Sequence, residues 1–267
     1  MDEKKLIRLT DILKDLQSVV LAYSGGVDST FLLRMMKFSG IDFIAVTGSS
    51  EIRPRVDLET AEKMVQEFGV EHIVIKTEEL SGEEFTSNTP DRCFFCKDEL
   101  FGKLTRMALS RKFKMIADGS IGDDLLDYRP GNRALEKYKV RSPLIEAGLM
   151  KEEVRGFSRR LGLPTWNKPS SACLATRIPY GQRITTGTLG RIEKAEELIR
   201  SFGYGQVRVR DHAGIARIEV SEELVETFVR PEVRKNIAES LKAMGFTFVS
   251  LDLEGFRSGS MNRLLKK

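Results

Sequence analysis

Histidine and cysteine are scarce in this chain of 267 residues, which holds only His72, His212 and the three cysteines Cys93, Cys96 and Cys173. Two histidines leave no room for a histidine-rich zinc enzyme. Three cysteines are too few, and too odd in number, for a disulfide framework, so thiol or metal chemistry is the better reading. Long apolar runs are missing too: Val19 to Tyr23 and Phe43 to Val46 fall far short of the roughly 18 residues that cross a bilayer. The charged start, Met1 to Arg8, has no apolar signal-peptide core. These absences point to a soluble, cytoplasmic protein without a membrane partner. There is also little net charge, 43 basic against 39 acidic side chains, which is too balanced for a general nucleic-acid coat.

At roughly 100 to 200 residues per domain, the length fits one large domain or two smaller ones, enough for a core without disulfide staples. The charge is unevenly spread. Residues 1–167 carry a net −1 and residues 168–267 a net +5, so the second half is either an anion site or a solvated basic face.

Short apolar runs alternate with helical patterns over the first 120 residues. Val19 to Tyr23, Phe43 to Val46, His72 to Ile75 and Met115 to Ala117 read as buried strands. Phe31, Leu32, Met35 and Met36, then Leu58, Ala61, Met64, Val65 and Phe68, fall at helical spacing, and Gly69 stops the second helix. Strand, helix, strand at this rhythm predicts an α/β fold: a parallel sheet covered on both faces, with ligands at the carboxyl ends of the strands. The stretch Pro164 to Gly187 has no sustained period and is expected to be a long connecting loop. Beyond it, a helix over Leu189 to Phe202, strands at Val207 to Arg210 and Ala216 to Val220, a helix over Val233 to Met244 and a strand from Thr247 to Leu251 predict a smaller C-terminal α+β domain. The expected domains are 1–167 and 168–267, the second entered through the loop 164–187.

The sharpest local signal is Ser24-Gly25-Gly26-Val27-Asp28-Ser29, directly after the first strand and opening a helix. Two glycines let the backbone turn tightly and approach an anion, and the helix offers amide groups and the positive end of its dipole. Ser24 and Ser29 add hydroxyl donors, and Asp28 can hold a divalent cation against phosphates. The motif is neither the lysine-bearing loop of common NTPases nor a dinucleotide fingerprint. It resembles the pyrophosphate (PP) loop of N-type ATP pyrophosphatases, which release pyrophosphate and leave AMP on an acceptor. That resemblance implies ATP and Mg2+ as cofactors. It places adenosine across Ala22, Tyr23 and Thr47, with a second nucleotide and metal contact at Asp118-Gly119-Ser120, Asp123 and Asp124; Asp123 and Asp124 read equally well as a solvated helix start.

Cys93-Phe94-Phe95-Cys96 is a CxxC followed by Lys97 at a helix entrance, where thiol pKa values fall. Cys173 lies in the segment Lys168 to Gly181. Three readings stand. All three cysteines hold an iron-sulfur cluster with one open iron, or Cys173 alone donates sulfur beside a redox or zinc-binding CxxC, or the CxxC is structural and Cys173 inert.

End to end, the chain resembles the LarE family, the sulfur-insertion proteins of the lactate racemase nickel-pincer cofactor pathway. The residues that carry this are the Ser24 to Ser29 loop, Asp127 to Gly131, Lys168 to Gly181, Arg208 to Glu219 and Gly255 to Asn262. The resemblance implies an ATP-dependent sulfurtransferase acting on pyridinium biscarboxylic acid mononucleotide. It also implies a homo-oligomer, and a sulfide source or cysteine desulfurase as partner. Family members with only the loop cysteine sacrifice its sulfur, whereas those with an added CxxC resemble cluster enzymes, so Cys93, Cys96 and Cys173 are expected to ligate a 4Fe-4S cluster. Catalytic roles fall to Cys173, Lys97 and Asp28, and nucleotide contacts to Ala22, Ser24, Gly25, Gly26, Asp28, Ser29, Thr47 and Gly119. The substrate's phosphate maps to Arg208 and Arg210, which alternate on one strand face, with Arg177, Glu196 and Glu219 around them. The alternatives are a PP-loop tRNA thiolation enzyme, an ammonia-dependent adenylating ligase and a non-catalytic nucleotide sensor. A single tryptophan, Trp166, and no lysine-rich arm argue against nucleic acid.

Overall fold

The computed structural model describes residues 3–125, 129–169, 171–257 and 259–265. Asp127, Tyr128, Ser170 and Ser258, which belong to the motifs above, lie outside the described residues. The chain divides into two compact units: Met1–Glu79 with Cys93–Ser171, and Leu80–Arg92 with Ala172–Lys267.

In the first unit, β1 (Ser18–Ala22), β2 (Asp42–Ser49), β3 (His72–Lys76) and β4 (Met115–Asp118) form a parallel sheet in the order β3-β2-β1-β4. Period-two alternation sorts its side chains onto two faces. Val19 and Leu21 pack with Leu9, Leu13 and Leu16 of α1 (Glu3–Leu16) and with Phe31, Leu32 and Met36 of α2 (Val27–Ser39). Val20, Ile44, Val46 and Ile116 pack instead with Leu100, Phe101 and Leu104 on the long helix Arg92–Arg111. Burying apolar area on both faces is what holds a parallel sheet together. The α3 helix (Arg55–Phe68) joins β2 to β3 and ends at Gly69.

The charged start leads into a helix, α1. Leu9, Leu13 and Leu16 recur every three to four residues, and that stripe is buried while the charged side chains stay outside. A further helix, Lys151–Arg160, buries Val154 and Phe157, and Phe157 stacks on Phe31 with ring centroids 6.2 Å apart.

The second unit contains the short α4 (Glu83–Thr86), placed by the chain before the long helix just described, which is α5; α6 (Asn132–Lys137), α7 (Pro143–Glu146) and α8 (Lys151–Arg160) then complete the first unit. Next come α9 (Thr186–Ser201), β5 (Val207–His212), β6 (Ile215–Val220), α10 (Val225–Val229), α11 (Pro231–Ala243) and β7 (Phe248–Leu251). The sheet runs β5-β6-β7, antiparallel then parallel. Ile199, Val209, Ile218, Ile237 and Leu241 lie in its core.

The expected long loop is corrected in part. Leu174–Arg177 forms a 3-10 turn, and Leu174, Ala175, Arg177, Ile178 and Ile184 are all buried. Its lack of period reflects a segment packed residue by residue, which no repeating pattern announces.

Candidate active site

The turn at the carboxyl end of β1 is built on its two glycines. Gly25 sits at φ +69°, and a Cβ there would lie 2.9 Å from Cβ of Ala61 on α3, so a side chain meets both strain and a clash. Gly26 is the N-cap of α2 and offers no side chain to its amides. The hydroxyls of Ser24 and Ser29 stand 3.0 Å apart, the backbone N–H of Gly26 reaches Ser24 Oγ at 3.4 Å, and Ser29 Oγ donates to Gly26 O at 3.3 Å. The result is a tight turn that aims a helix N-terminus and two hydroxyls at one spot, an arrangement suited to an anion.

Asp28, in the first turn of α2, receives both carboxylate contacts from Lys151 Nζ, at 2.6 and 2.9 Å. Lys168 Nζ lies 3.0 Å from Asp57 and 3.4 Å from Gly25 O. The sequence reading gave neither lysine a role. Lys151 is 123 residues from Asp28, and nothing around it announces the pairing.

Asp118, ending β4, accepts from Ser120 N, Ser120 Oγ and Ser142 Oγ at 3.2, 2.6 and 2.7 Å. Lys97 Nζ stands 4.0 Å from it, and the lysine stem lies over Gly131, where a Cβ would meet Lys97 Cδ at 2.8 Å. Gly119 lets β4 end against α2, with its missing Cβ 2.9 Å from Ser29 N and Cα. Asp124 is buried, accepts from Ile121 N at 3.1 Å and pairs with Arg129 at 2.7 Å. Burial, followed by smaller repulsions from Asp28 and Asp118, raises its pKa above the ordinary carboxylate range. Asp123 accepts from Lys151 N at 2.7 Å.

The adenosine positions are more enclosed. Ala22 is half-buried. The Thr47 hydroxyl donates to Tyr23 O at 2.9 Å and contacts His72 Nε2 at 2.8 Å. Tyr23 hydrogen-bonds Thr30 at 3.0 Å, and burial pushes its phenol up to about 12. The Thr47 side chain is thus committed to the protein.

Cys93 is exposed and Cys96 half-buried, both in the first turns of α5. Cys96 Sγ lies 3.6 Å from Glu79 Oε1, while the other carboxylate oxygen of Glu79 is buried with no hydrogen-bond partner. Cys173 is half-buried at the N-cap of the 3-10 turn, in the other unit. Among the described residues no group of three or more His, Cys, Asp or Glu side chains converges on a metal position. By donor type alone, thiolates suit iron and the oxygens of Asp28 and Asp118 suit magnesium.

The second unit gathers the five residues read as a phosphate site. Arg177 and Glu196, both almost fully buried, form a two-point pair at 2.8 and 3.0 Å. Glu196 also accepts from Val209 N at 3.1 Å. Arg210 donates to Glu219 Oε2 at 2.6 Å and to Thr176 O at 3.0 Å. Arg208 reaches Val207 O at 3.0 Å and lies 5.4 Å from the Phe256 ring centroid. Burial first, then the positive charge of Arg177, pulls the Arg208 guanidinium down to about 10.

Comparison with known proteins gives this geometry a family. The family described as queuosine biosynthesis protein QueC matches residues 18–92, which span the glycine turn and β1 to β3. The "Uncharacterized protein slr1717" of Synechocystis sp. is 41% identical, covering all of both chains. The "Pyridinium-3,5-bisthiocarboxylic acid mononucleotide synthase" of Lactiplantibacillus plantarum is 38% identical over 98% of this chain and 95% of its own. A "tRNA-specific 2-thiouridylase MnmA 1" of Fusobacterium nucleatum is 26% identical over 69% of this chain and 57% of its own. A parallel sheet with a glycine turn ending its first strand, matched nearly end to end by a synthase of this kind, places the chain in the LarE family of ATP-dependent sulfurtransferases, with a PP-loop α/β fold.

Proposed function

We propose that this protein uses ATP to adenylate a carboxylate of pyridinium-3,5-biscarboxylic acid mononucleotide, releases pyrophosphate, and replaces AMP with sulfur to give the thiocarboxylate. The observation that carries this reading is the near full-length similarity to the Lactiplantibacillus plantarum synthase, joined to the glycine turn at the end of β1.

The chemistry explains the residues. A carboxylate resists nucleophiles because its charge repels them and oxide leaves badly; capping it with AMP removes both faults. Ser24, Gly25, Gly26 and Ser29 hold the departing pyrophosphate, so the step is governed by positioning and charge neutralisation. Asp28 would hold magnesium, which supplies positive charge to the phosphates. Ala22, Thr47 and Gly119 border the adenosine, Thr47 through its backbone because its hydroxyl is bonded elsewhere. Lys97, beside Asp118, neutralises charge on AMP or the acyl group.

The substrate's own 5′-phosphate fits the second unit. Arg177, Arg208 and Arg210 outnumber Glu196 and Glu219 among these buried side chains, and Arg208, depressed first by burial and then by the positive charge of Arg177, gains a counter-charge when a phosphate dianion binds. Glu196 and Glu219 orient their arginines through the contacts described above.

Sulfur is delivered at the cysteines. Cys93, Cys96 and Cys173 would together hold a 4Fe-4S cluster, which supplies bound sulfide to repeated turnovers. The rival source is Cys173 alone, which gives up its own sulfur once. The functional partition follows the chain: residues 1–167 carry adenylation, and residues 168–267 carry substrate binding and oligomer contacts.

The test is to incubate purified protein with ATP, Mg2+ and the biscarboxylate mononucleotide, then measure inorganic pyrophosphate, thiocarboxylate and the intact protein mass. Pyrophosphate release that depends on the mononucleotide is expected, with several products per chain at unchanged mass. Loss of the mass of hydrogen sulfide at Cys173 identifies the sacrificial source instead, and no pyrophosphate at all refutes the proposal.

A further inference from the structure

The glycine turn contains no basic residue and carries a carboxylate, Asp28, yet a nucleoside triphosphate brings several negative charges to it. A helix N-terminus and two hydroxyls offset only part of that charge. The fold supplies cations from elsewhere in the chain. Lys151, the first residue of α8, has its backbone N–H held by Asp123 and extends its ammonium onto both oxygens of Asp28. Lys168 is rooted by its own N–H to Thr165 O at 2.9 Å and by Arg155, which donates to Lys168 O at 2.9 Å and to Trp166 O at 3.0 Å. Its ammonium reaches Gly25 O and Asp57. Both lysines are anchored at the backbone and half-buried.

We propose that Lys151 and Lys168 are the phosphate-binding cations of this site, contacting the pyrophosphate portion of a nucleoside triphosphate. The inference rests on the reading above that the turn holds such a nucleotide. Asp28 and Asp57 keep the two ammoniums at the turn before nucleotide arrives. When phosphate oxygens enter they compete for the same donors, and charge-assisted hydrogen bonds to phosphate replace those to carboxylate. Lysine suits this exchange because its compact charge on a flexible stem can change partner without the fixed fork geometry of arginine.

The competing account is two ordinary ion pairs, which contribute little at half-exposed positions. Calorimetric titration separates the two with α,β-methylene-ATP plus Mg2+ as one probe and AMP as the other. Lys151→Met and Lys168→Met are each expected to weaken the triphosphate analogue by about tenfold or more and AMP by less than about twofold, with Lys→Arg restoring part of the loss. Equal weakening of both probes, or an unchanged triphosphate analogue, overturns the proposal. Amine acylation of the unmodified protein, followed by peptide mass analysis, needs no variant to fold. Mg2+-pyrophosphate should slow labelling of Lys151 and Lys168 several-fold, and unchanged labelling counts against their role. If the unmodified protein binds no triphosphate analogue, the reading of the turn itself fails; if it binds and the Met variants bind equally, only the lysine inference fails.

Discussion

Glu196 is a carboxylate placed where carboxylates are ordinarily too costly to keep. Burial works to raise its pKa, but the two hydrogen bonds from Arg177, the charges of Arg177 and Arg208, and the Val209 N–H outweigh it, so the folded value is held below the ordinary carboxylate range. A depressed folded pKa means the stabilisation is fully present above the unfolded value, near 4.3, and is lost as pH falls through the lower folded value. Glu196→Gln keeps the shape and removes the charge, leaving Arg177 buried without its partner. Urea unfolding at pH 7 should show the variant less stable by about 3–5 kcal/mol, the usual cost of breaking a buried pair from one side. The gap should then narrow as the solution is taken below the ordinary carboxylate range. A gap that stays constant down to pH 3 would show that Glu196 contributes by shape alone. Alternation on a strand placed Arg208 and Arg210 on one face in the sequence, but the partner of Arg210, Glu219, comes from β6 and that of Arg177, Glu196, from α9, both set by packing between elements.

Between elements, a close approach at the site is that of β4 to α2, where Gly119 leaves no gap for a methyl group against Ser29 backbone atoms. Gly119→Ala must push the α2 N-terminus away from the strand ends, since backbone on both sides cannot yield as a flexible side chain does. The expected cost is roughly 1–3 kcal/mol in thermal or urea unfolding, as for other overpacked positions, together with weaker Mg2+-nucleotide binding because the turn shifts with its helix. Gly190→Ala is the matched control: nothing lies within 4 Å of its Cβ position inside α9, so it should raise stability by roughly 0.5–1 kcal/mol. Equal effects from the two substitutions would mean the contact at Gly119 is not tight. This scale also divides what the sequence tells from what it conceals. The strands of the parallel sheet and the glycine turn are readable because each is a local pattern of apolar period or backbone permissiveness. α1 is not among the predicted helices although Leu9, Leu13 and Leu16 carry a helical stripe, because the charged start is weighed only as a signal peptide. Lys151 escaped for a deeper reason: its partner lies 123 residues away, and only the finished fold brings them together.

At the scale of the whole molecule, the chain crosses between its two units more than once, because the segment Leu80–Arg92 groups with Ala172–Lys267 although the first unit flanks it on both sides. That segment is stitched into the second unit by Asn88. This fully buried residue, at φ +55°, donates through its amide to the carbonyls of Ile178, Pro179 and Gln182 at 3.3, 2.8 and 3.0 Å. Its own carbonyl accepts from Gly181 N at 3.0 Å, Thr86 O accepts from Ile184 N at 2.8 Å, and Arg92 stacks over Tyr180 with 4.5 Å to the ring centroid. Residues 172–267 expressed alone would therefore expose the carbonyls that Asn88 satisfies and leave a helix-linking segment without its covering strand of chain. The expectation is that this fragment unfolds at lower temperature and less cooperatively by circular dichroism than the same fragment with residues 80–92 joined to it. In the full chain Asn88→Ala should cost about 1–3 kcal/mol, because buried acceptors lose their donor and alanine tolerates positive φ poorly. If the short fragment melts as sharply and as high as the extended one, the second unit closes its core without residues 80–92, and that segment is a surface passenger of the unit it contacts.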